Sequence, residues 1–549
     1  MSKEKNSSNF LVQGSILAIA SIVSRLIGLL YRIPMTNAIG SDGIGVYSTA
    51  YNVYFICLLL SSYSLPTAVS KLVSERMALH QYKNAQRILR VSMVFALIAG
   101  TAAAAVMFFG ADFLAVKMQN MPEARIAIMT LAPTIFIMAF LGVLRGYFQG
   151  MGSMVPTAIS QVLEQFLNAI VSVTAAISLF AYGRGLDELY STSNQAVSWG
   201  AAGGTIGTGA GAFIAFVFCA LLYLAYRRVI RKNVRRDRSK QLEGYPYLMK
   251  CLLVTAIPII LNTGVYNVSI IFDNSLFGHY TSSAGIYDQY KLLWGEFSGK
   301  YHLLTNVPIS MSNALALSIV PALSRAVARR NFSEAADKTD TSIRFIMVVA
   351  VPCVVGLSVL AMPIMNMLFK SDNTLAAQMM TVGSFTIIFY SLSTVTNAIL
   401  QGMNHMHVPV INALIALILH NICLVIFLWG FHWGIYGAVW GNISFGIFMC
   451  VLNFISLRRY LSFHINWKKT VILPVICSAV MGVITWLVYH FGFKAIGHNT
   501  LMTLFSMMIA VAVYGVMLLV TRCVEEAELY SFPKGALLVK IAKKLHLLK

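Results

Sequence analysis

Fourteen apolar runs, each near the roughly 20 residues a helix needs to cross a bilayer, alternate with short polar connections along this chain. They cover residues 9–33, 46–64, 91–111, 126–148, 155–181 and 199–226, then 248–272, 303–323, 343–369, 376–400, 408–429 and 435–457. A last pair covers 471–491 and 500–521. The pattern predicts an all-α, polytopic membrane protein with 14 transmembrane helices. Two pseudo-symmetric six-helix lobes, 1–226 and 248–458, are joined by a basic connector at 227–247. An extra helix pair at 459–521 and a basic amphipathic tail at 522–549 complete the expected layout.

The two lobes carry the same punctuation about 250 residues apart. Arg145-Gly-Tyr-Phe-Gln149-Gly150-Met151-Gly-Ser-Met154-Val-Pro156 is echoed by Asn397-Ala-Ile-Leu-Gln401-Gly402-Met403-Asn-His-Met406-His-Val-Pro409. Leu65-Pro66-Thr-Ala-Val-Ser70-Lys71 is answered by Val320-Pro321-Ala-Leu-Ser324-Arg325. A duplicated membrane bundle suggests two lobes around a shared site, the layout of alternating-access transporters.

Charge fixes the expected orientation. Placing the N-terminus in the cytoplasm leaves only Arg32, Lys117, Arg125, Arg184, Lys291, Lys300, Lys370 and Lys494 on the outer side. The remaining basic residues outside the spans fall inside, as the positive-inside rule requires, and an odd number of spans would mix the two sets. Both termini are therefore expected in the cytoplasm. Charged residues are 11% of the chain against about 25% in soluble proteins. The net charge of +21 sits in loops rather than on a basic helix interleaved with aromatics, which argues against a nucleic-acid partner. The connector reads as a topology determinant beside anionic lipid headgroups, with partner docking as the alternative. Seven of the eight cysteines fall in or beside apolar runs and none forms a CxxC pair, so no metal or disulfide is expected. Lys3 and Lys5 precede an apolar run too long for a signal core, and that run is expected to be retained.

Ionisable groups inside spans are costly and are functional candidates by default. Ser21, Arg25, Gly28 and Arg32 share one helical face, with the two arginines on the order of 10 Å apart. Arg32 lies near the outer rim, where snorkelling is the plain reading. Arg25 is deeper and reads either as a cavity-facing cation or as half of a structural pair. Guanidinium forks match phosphate oxygens, so this stripe suits an anionic cargo better than a cationic drug. Gln161, Glu164, Gln165 and Asn168 form a second stripe, with Glu164 open to pairing with Arg25 or to a permanent helix-to-helix pair. Asn262, Tyr266, Ser269 and Asp273 repeat the spacing in the seventh span, and Lys300 and His302 head the eighth. His420 reads first as a hydrogen-bonded packing residue. Gly203, Gly207 and Gly211 form a small-residue ladder, which is a packing signal.

Taken together, Ser24-Arg25-Leu-Ile-Gly28, the Leu65–Lys71 stretch, the Arg145–Gln165 stretch and Asn313-Ala-Leu-Ala-Leu-Ser-Ile-Val-Pro321 resemble one family. It is the polysaccharide-transporter branch of the multidrug/oligosaccharidyl-lipid/polysaccharide exporter superfamily, most like its stage V sporulation protein B and MurJ-type lipid II flippases. The resemblance spans nearly the whole chain. It implies a flippase for undecaprenyl-pyrophosphate-linked sugars, a peptidoglycan precursor such as lipid II among them. It also implies alternating access of two lobes, a cationic central cavity, and a lipid-tail groove formed by the last two spans. Cell-wall synthesis proteins are the implied partners beside the lipid-linked substrate and membrane lipids. Carried over, Arg25 and Arg32 match the first-span arginines, Arg32 one residue further along. The eighth-span arginine is missing, with Lys300 or His302 nearby, and no second-span arginine matches.

The cargo would cross without covalent chemistry, so neither enzyme activity nor a cofactor is expected. Coupling to an ion or to the membrane potential is compatible, since a charge crossing the field gains about 2.3 kcal/mol per 100 mV. A cation-coupled drug exporter of the same superfamily is the first alternative and would rest on Glu164 and Asp273. A membrane glycosyltransferase would need catalytic carboxylates outside, and Asp187, Glu188, Asp288 and Glu296 show no acid/base arrangement. A non-transporting scaffold for wall or spore assembly is the third.

Overall fold

Long apolar sequence gives long helices, because in lipid every backbone amide must find its partner within the segment. The computed structural model describes residues 2–237, 242–461 and 466–523, with side chains before residue 17 and some within helices left out. The middle of the connector and the tail beyond Cys523 therefore lie outside the described residues. In chain order the helices are α1 (Ser2–Leu58), α2 (Leu65–Ala78), α3 (Tyr82–Phe109), α4 (Ala124–Gly150), α5 (Val155–Tyr190) and α6 (Gln195–Arg236). Then come α7 (Tyr245–Ser283), α8 (Tyr290–Gly295), α9 (His302–Ala328), α10 (Phe332–Val359), α11 (Ala361–Leu368) and α12 (Thr374–Gly383). The last are α13 (Thr386–Gly402), α14 (His407–Val425), α15 (Ile435–Tyr460), α16 (Leu473–Ile496) and α17 (Asn499–Val520).

A helix lies over every one of the expected apolar runs, and no strand occurs among the described residues. Among the described residues, ten continuous helical stretches are long and apolar enough to cross a membrane, or eleven if the α12–α13 pair, bent by 47°, is one span. The first of the ten, Ile19–Ala78, is 60 residues long and covers the second expected run and the first from Ile19 onward. Inside it α1 breaks at Gly40, whose φ of 71° suits a residue without a Cβ.

Two compact units divide the chain, Met1–Gly299 and Lys300–Lys549. In the first, the ends of the connector dock on the α2–α3 turn. Asp237 accepts from the Lys83 amide at 2.7 Å, and Glu243 accepts from Arg76 Nε and Nη2 at 3.2 and 3.1 Å. At the opposite end of this unit Ser298 bonds Ser48, and Ser41 donates to Glu296. In the second unit the α16–α17 pair leans on α10 and α11 through Tyr514 Oη to Val348 O (2.7 Å) and Asn499 Nδ2 to Pro363 O (3.1 Å).

The duplication is written in the chain reversals. After α4, the amide of Gly152 bonds Gln149 O and that of Ser153 bonds Phe148 O; after α13, Asn404 bonds Gln401 O and His405 bonds Leu400 O. After α2, His80 bonds Met77 O and Gln81 bonds Arg76 O; after α9, Arg330 bonds Val327 O and Asn331 bonds Ala326 O. All four are Schellman ends, which satisfy the last carbonyls of a helix. The left-handed residues have φ of 88°, 66°, 57° and 55° at Gly152, Asn404, His80 and Arg330. Only one of them is glycine, so hydrogen bonding offsets the steric cost at the other three.

Candidate functional site

The polar faces of α1 and α5 meet within the first unit. Ser21 Oγ donates to Gln161 Oε1 at 3.3 Å, and a Cβ on Gly28 would lie 3.5 Å from Gln165 Oε1. Arg25 stands between these two contacts, exposed, and forms no ion pair or hydrogen bond among the described residues. One step further along the same face, Arg32 is half-buried. Its guanidinium carbon lies 5.6 Å from the Tyr51 ring centre and 5.8 Å from that of Tyr47, inside cation–π range. These rings belong to a ladder: Tyr47 stacks on Tyr51 at 5.9 Å, and Tyr51 meets Tyr54 at 5.6 Å. Tyr31 Oη bonds Tyr47 Oη at 3.3 Å and takes a hydrogen bond from Asn168 Nδ2 at 3.5 Å. One helix face thus carries two cations, Arg25 between two amide contacts and Arg32 among tyrosines, and no carboxylate among the described residues is paired with either.

Glu164, the carboxylate of the α5 stripe, is engaged elsewhere. Arg145 of α4 places Nη2 at 2.8 Å from its Oε2 and directs Nε to Ser160 Oγ, also at 2.8 Å. The pair is largely withdrawn from solvent, the side chains being 9% and 16% exposed. Between the two readings open to Glu164, the structure shows a helix-to-helix pair, with Arg145 rather than Arg25 as partner. Arg145 was absent from the sequence candidates, although an arginine inside the 126–148 run is itself a signal. The α6 glycines set the position of this stripe: a Cβ on Gly207 would collide with the Ser172 backbone, and one on Gly211 with the Glu164 carbonyl. Close approach of that kind is what small residues provide between membrane helices.

Candidates further along the chain fare differently. Lys300 does not stand in a cavity. It is fully buried, with Nζ bonded to Ser371 Oγ (2.8 Å), Asn373 Oδ1 (3.0 Å) and Asp372 O (3.3 Å) and lying over the Phe369 ring. Those acceptors hold the ammonium, so Lys300 secures the loop between α11 and α12. His302 opens α9 and is half-buried. Asp273 is 4% exposed in α7 beside Asn274, which donates to Thr49 Oγ1 at 3.0 Å. The side chains of Asn262 and Tyr266 lie outside the described ones. His420 is buried with Nδ1 at 2.8 Å from Gly441 O, the packing role expected of it.

This fold and site define a class: a multi-pass, all-helical membrane protein of duplicated plan, with two guanidiniums on one helix face that no carboxylate among the described residues pairs. The chain belongs to the polysaccharide biosynthesis protein family, whose model matches residues 11–327. A MatE family model matches residues 302–427. Among curated proteins, the chain is 24% identical over 530 residues to stage V sporulation protein B of Bacillus subtilis (strain 168), covering 95% of this chain and 98% of that protein. It is 25% identical over 504 residues to the lipid II flippase MurJ of the same organism, covering 87% and 88%. Its fold is similar to a solved lipid II flippase MurJ in an inward closed conformation, with a TM-score of 0.64 at 16% identity, covering 91% of this chain and 97% of the other. An inward-facing multidrug resistance MATE family transporter of the MOP superfamily gives 0.66 at 16% identity, covering 80% and 94%.

Proposed function

We propose that this protein is a flippase that carries a polyprenyl-diphosphate-linked saccharide across the bacterial cytoplasmic membrane, with both termini in the cytoplasm. Arg25 and Arg32 carry this reading: two cations on one helix face, neither matched by a carboxylate among the described residues. An uncompensated guanidinium in a membrane bundle is costly unless a ligand supplies the anion, and a diphosphate matches its fork. The headgroup would meet Arg25 first and Arg32 next, while the polyprenyl tail stays in lipid. The relatives' names support a lipid-linked cargo, and lipid II is the first to test. A cation-coupled drug exporter fits less well, because Arg145 already holds Glu164, one of the two carboxylates it would rest on.

The test is Arg25→Ala in cells that depend on this protein. Lipid-linked precursor should accumulate on the inner leaflet and growth should stop, with the variant inserted at normal level. Normal precursor turnover in such cells would refute the role of Arg25.

A further inference from the structure

We propose that Arg145 is a positioning residue, one that keeps the Glu164 carboxylate away from Arg25 and Arg32 so that both guanidiniums stay open to a diphosphate. The proposal rests on the anion-site reading above and assigns that site its guard.

Height along the helices is the first argument. Ser21 faces Gln161 and Gly28 faces Gln165, so Arg25 and Glu164 both fall between the same two contacts. At about 1.5 Å of rise per residue they differ in height by less than roughly one turn. A carboxylate so placed in a medium of low dielectric constant would pair with the nearest unpaired cation. Arg145 forestalls that by two-point attachment. Its Nε bonds Ser160 Oγ, whose own proton goes to Thr157 O at 2.9 Å, and its Nη2 takes the carboxylate.

Comparison of the two units supplies independent support. The residue matching Arg145 in the repeated motif is Asn397, which accepts a hydrogen bond from Asn453 Nδ2 at 2.8 Å. The position matching Glu164 falls at Ala416 or Leu417. The guanidinium is present where the carboxylate is present, and both are missing from the second copy of the motif.

Farnesyl diphosphate, a short and soluble polyprenyl diphosphate, serves as probe, with its Kd measured on full-length protein in nanodiscs. Arg145→Ala should weaken binding by about tenfold or more, because a released buried carboxylate seeks the site's cations. Arg145→Ala combined with Glu164→Gln should return Kd to within about twofold of wild type. A thermal scan of each variant separates misfolding from loss of the site, and Arg145→Lys, which retains the charge, should bind more tightly than Arg145→Ala. An Arg145→Ala Kd equal to wild type would overturn the proposal, as would a double variant no tighter than Arg145→Ala alone. The anion-site reading has its own control: if Arg25→Ala/Arg32→Ala binds the probe like wild type, that reading fails first.

Discussion

Replacing Lys300 with methionine keeps the length of the side chain and removes its charge and its donors. The ammonium sits on two side-chain acceptors, at 2.8 Å from Ser371 Oγ and 3.0 Å from Asn373 Oδ1, with the Asp372 carbonyl further off at 3.3 Å. Hydrogen bonds from a charged donor contribute about 1.5–3 kcal/mol each, so the two short ones contribute roughly 3–6 kcal/mol gross. Methionine needs no desolvation of a charge, which returns part of that sum, and a net loss of about 2–3 kcal/mol follows. Asn373 would still hold the loop by donating to Phe369 O at 3.0 Å and Asn366 Oδ1 at 3.1 Å, so local loosening is expected rather than collapse. In detergent the midpoint of thermal unfolding should drop by roughly 2–6 °C. Farnesyl diphosphate affinity at a temperature well below that midpoint should match wild type. A Lys300→Met protein that melts normally but has lost the ligand would show that Lys300 touches cargo and would refute its purely structural role.

Gly211→Val should force α5 away from α6 at the Glu164 carbonyl, disturbing the polar stripe; overpacking costs about 1–3 kcal/mol, and lower yield of folded protein by size-exclusion chromatography, with weaker probe binding in the fraction that folds, would check it. In the loop after α11, the Asp372 carboxyl is held below its ordinary value by the Thr374 backbone amide and then by the Thr374 hydroxyl. A depressed folded-state value gives stability that is present above the unfolded value, about 3.9, and lost as pH falls through the lower folded value. Melting of wild type should therefore decline slightly more than that of Asp372→Asn as pH is lowered from about 5 to 3; parallel curves would contradict the assignment.

The sequence reveals features that one helix can express alone and hides those that need two. Apolar length announced the helices, since lipid demands internally satisfied backbones, and the Gln149 and Gln401 motifs marked reversals whose hydrogen bonds do coincide. The shared face of Arg25 and Arg32 followed from helical spacing. The partners of Lys300 were hidden because they come from residues 371–373, some seventy positions away, and a lysine at the head of a span looks the same whether it meets solvent or a loop. The partner of Glu164 was hidden for a similar reason: Arg145 belongs to the preceding helix, and only packing shows that its fork turns toward α5.

Reversals fixed by amide and carbonyl pairing ask little of the side chains that occupy them. Once such a bundle had been copied in tandem, each copy could keep its frame while exchanging residues at matched sites. Arg145 and Asn397 show the outcome, a salt-bridging group in one copy and an amide in the other on a common scaffold. Division of labour between duplicated halves thus requires no new fold, only side-chain drift on reversals that the backbone preserves.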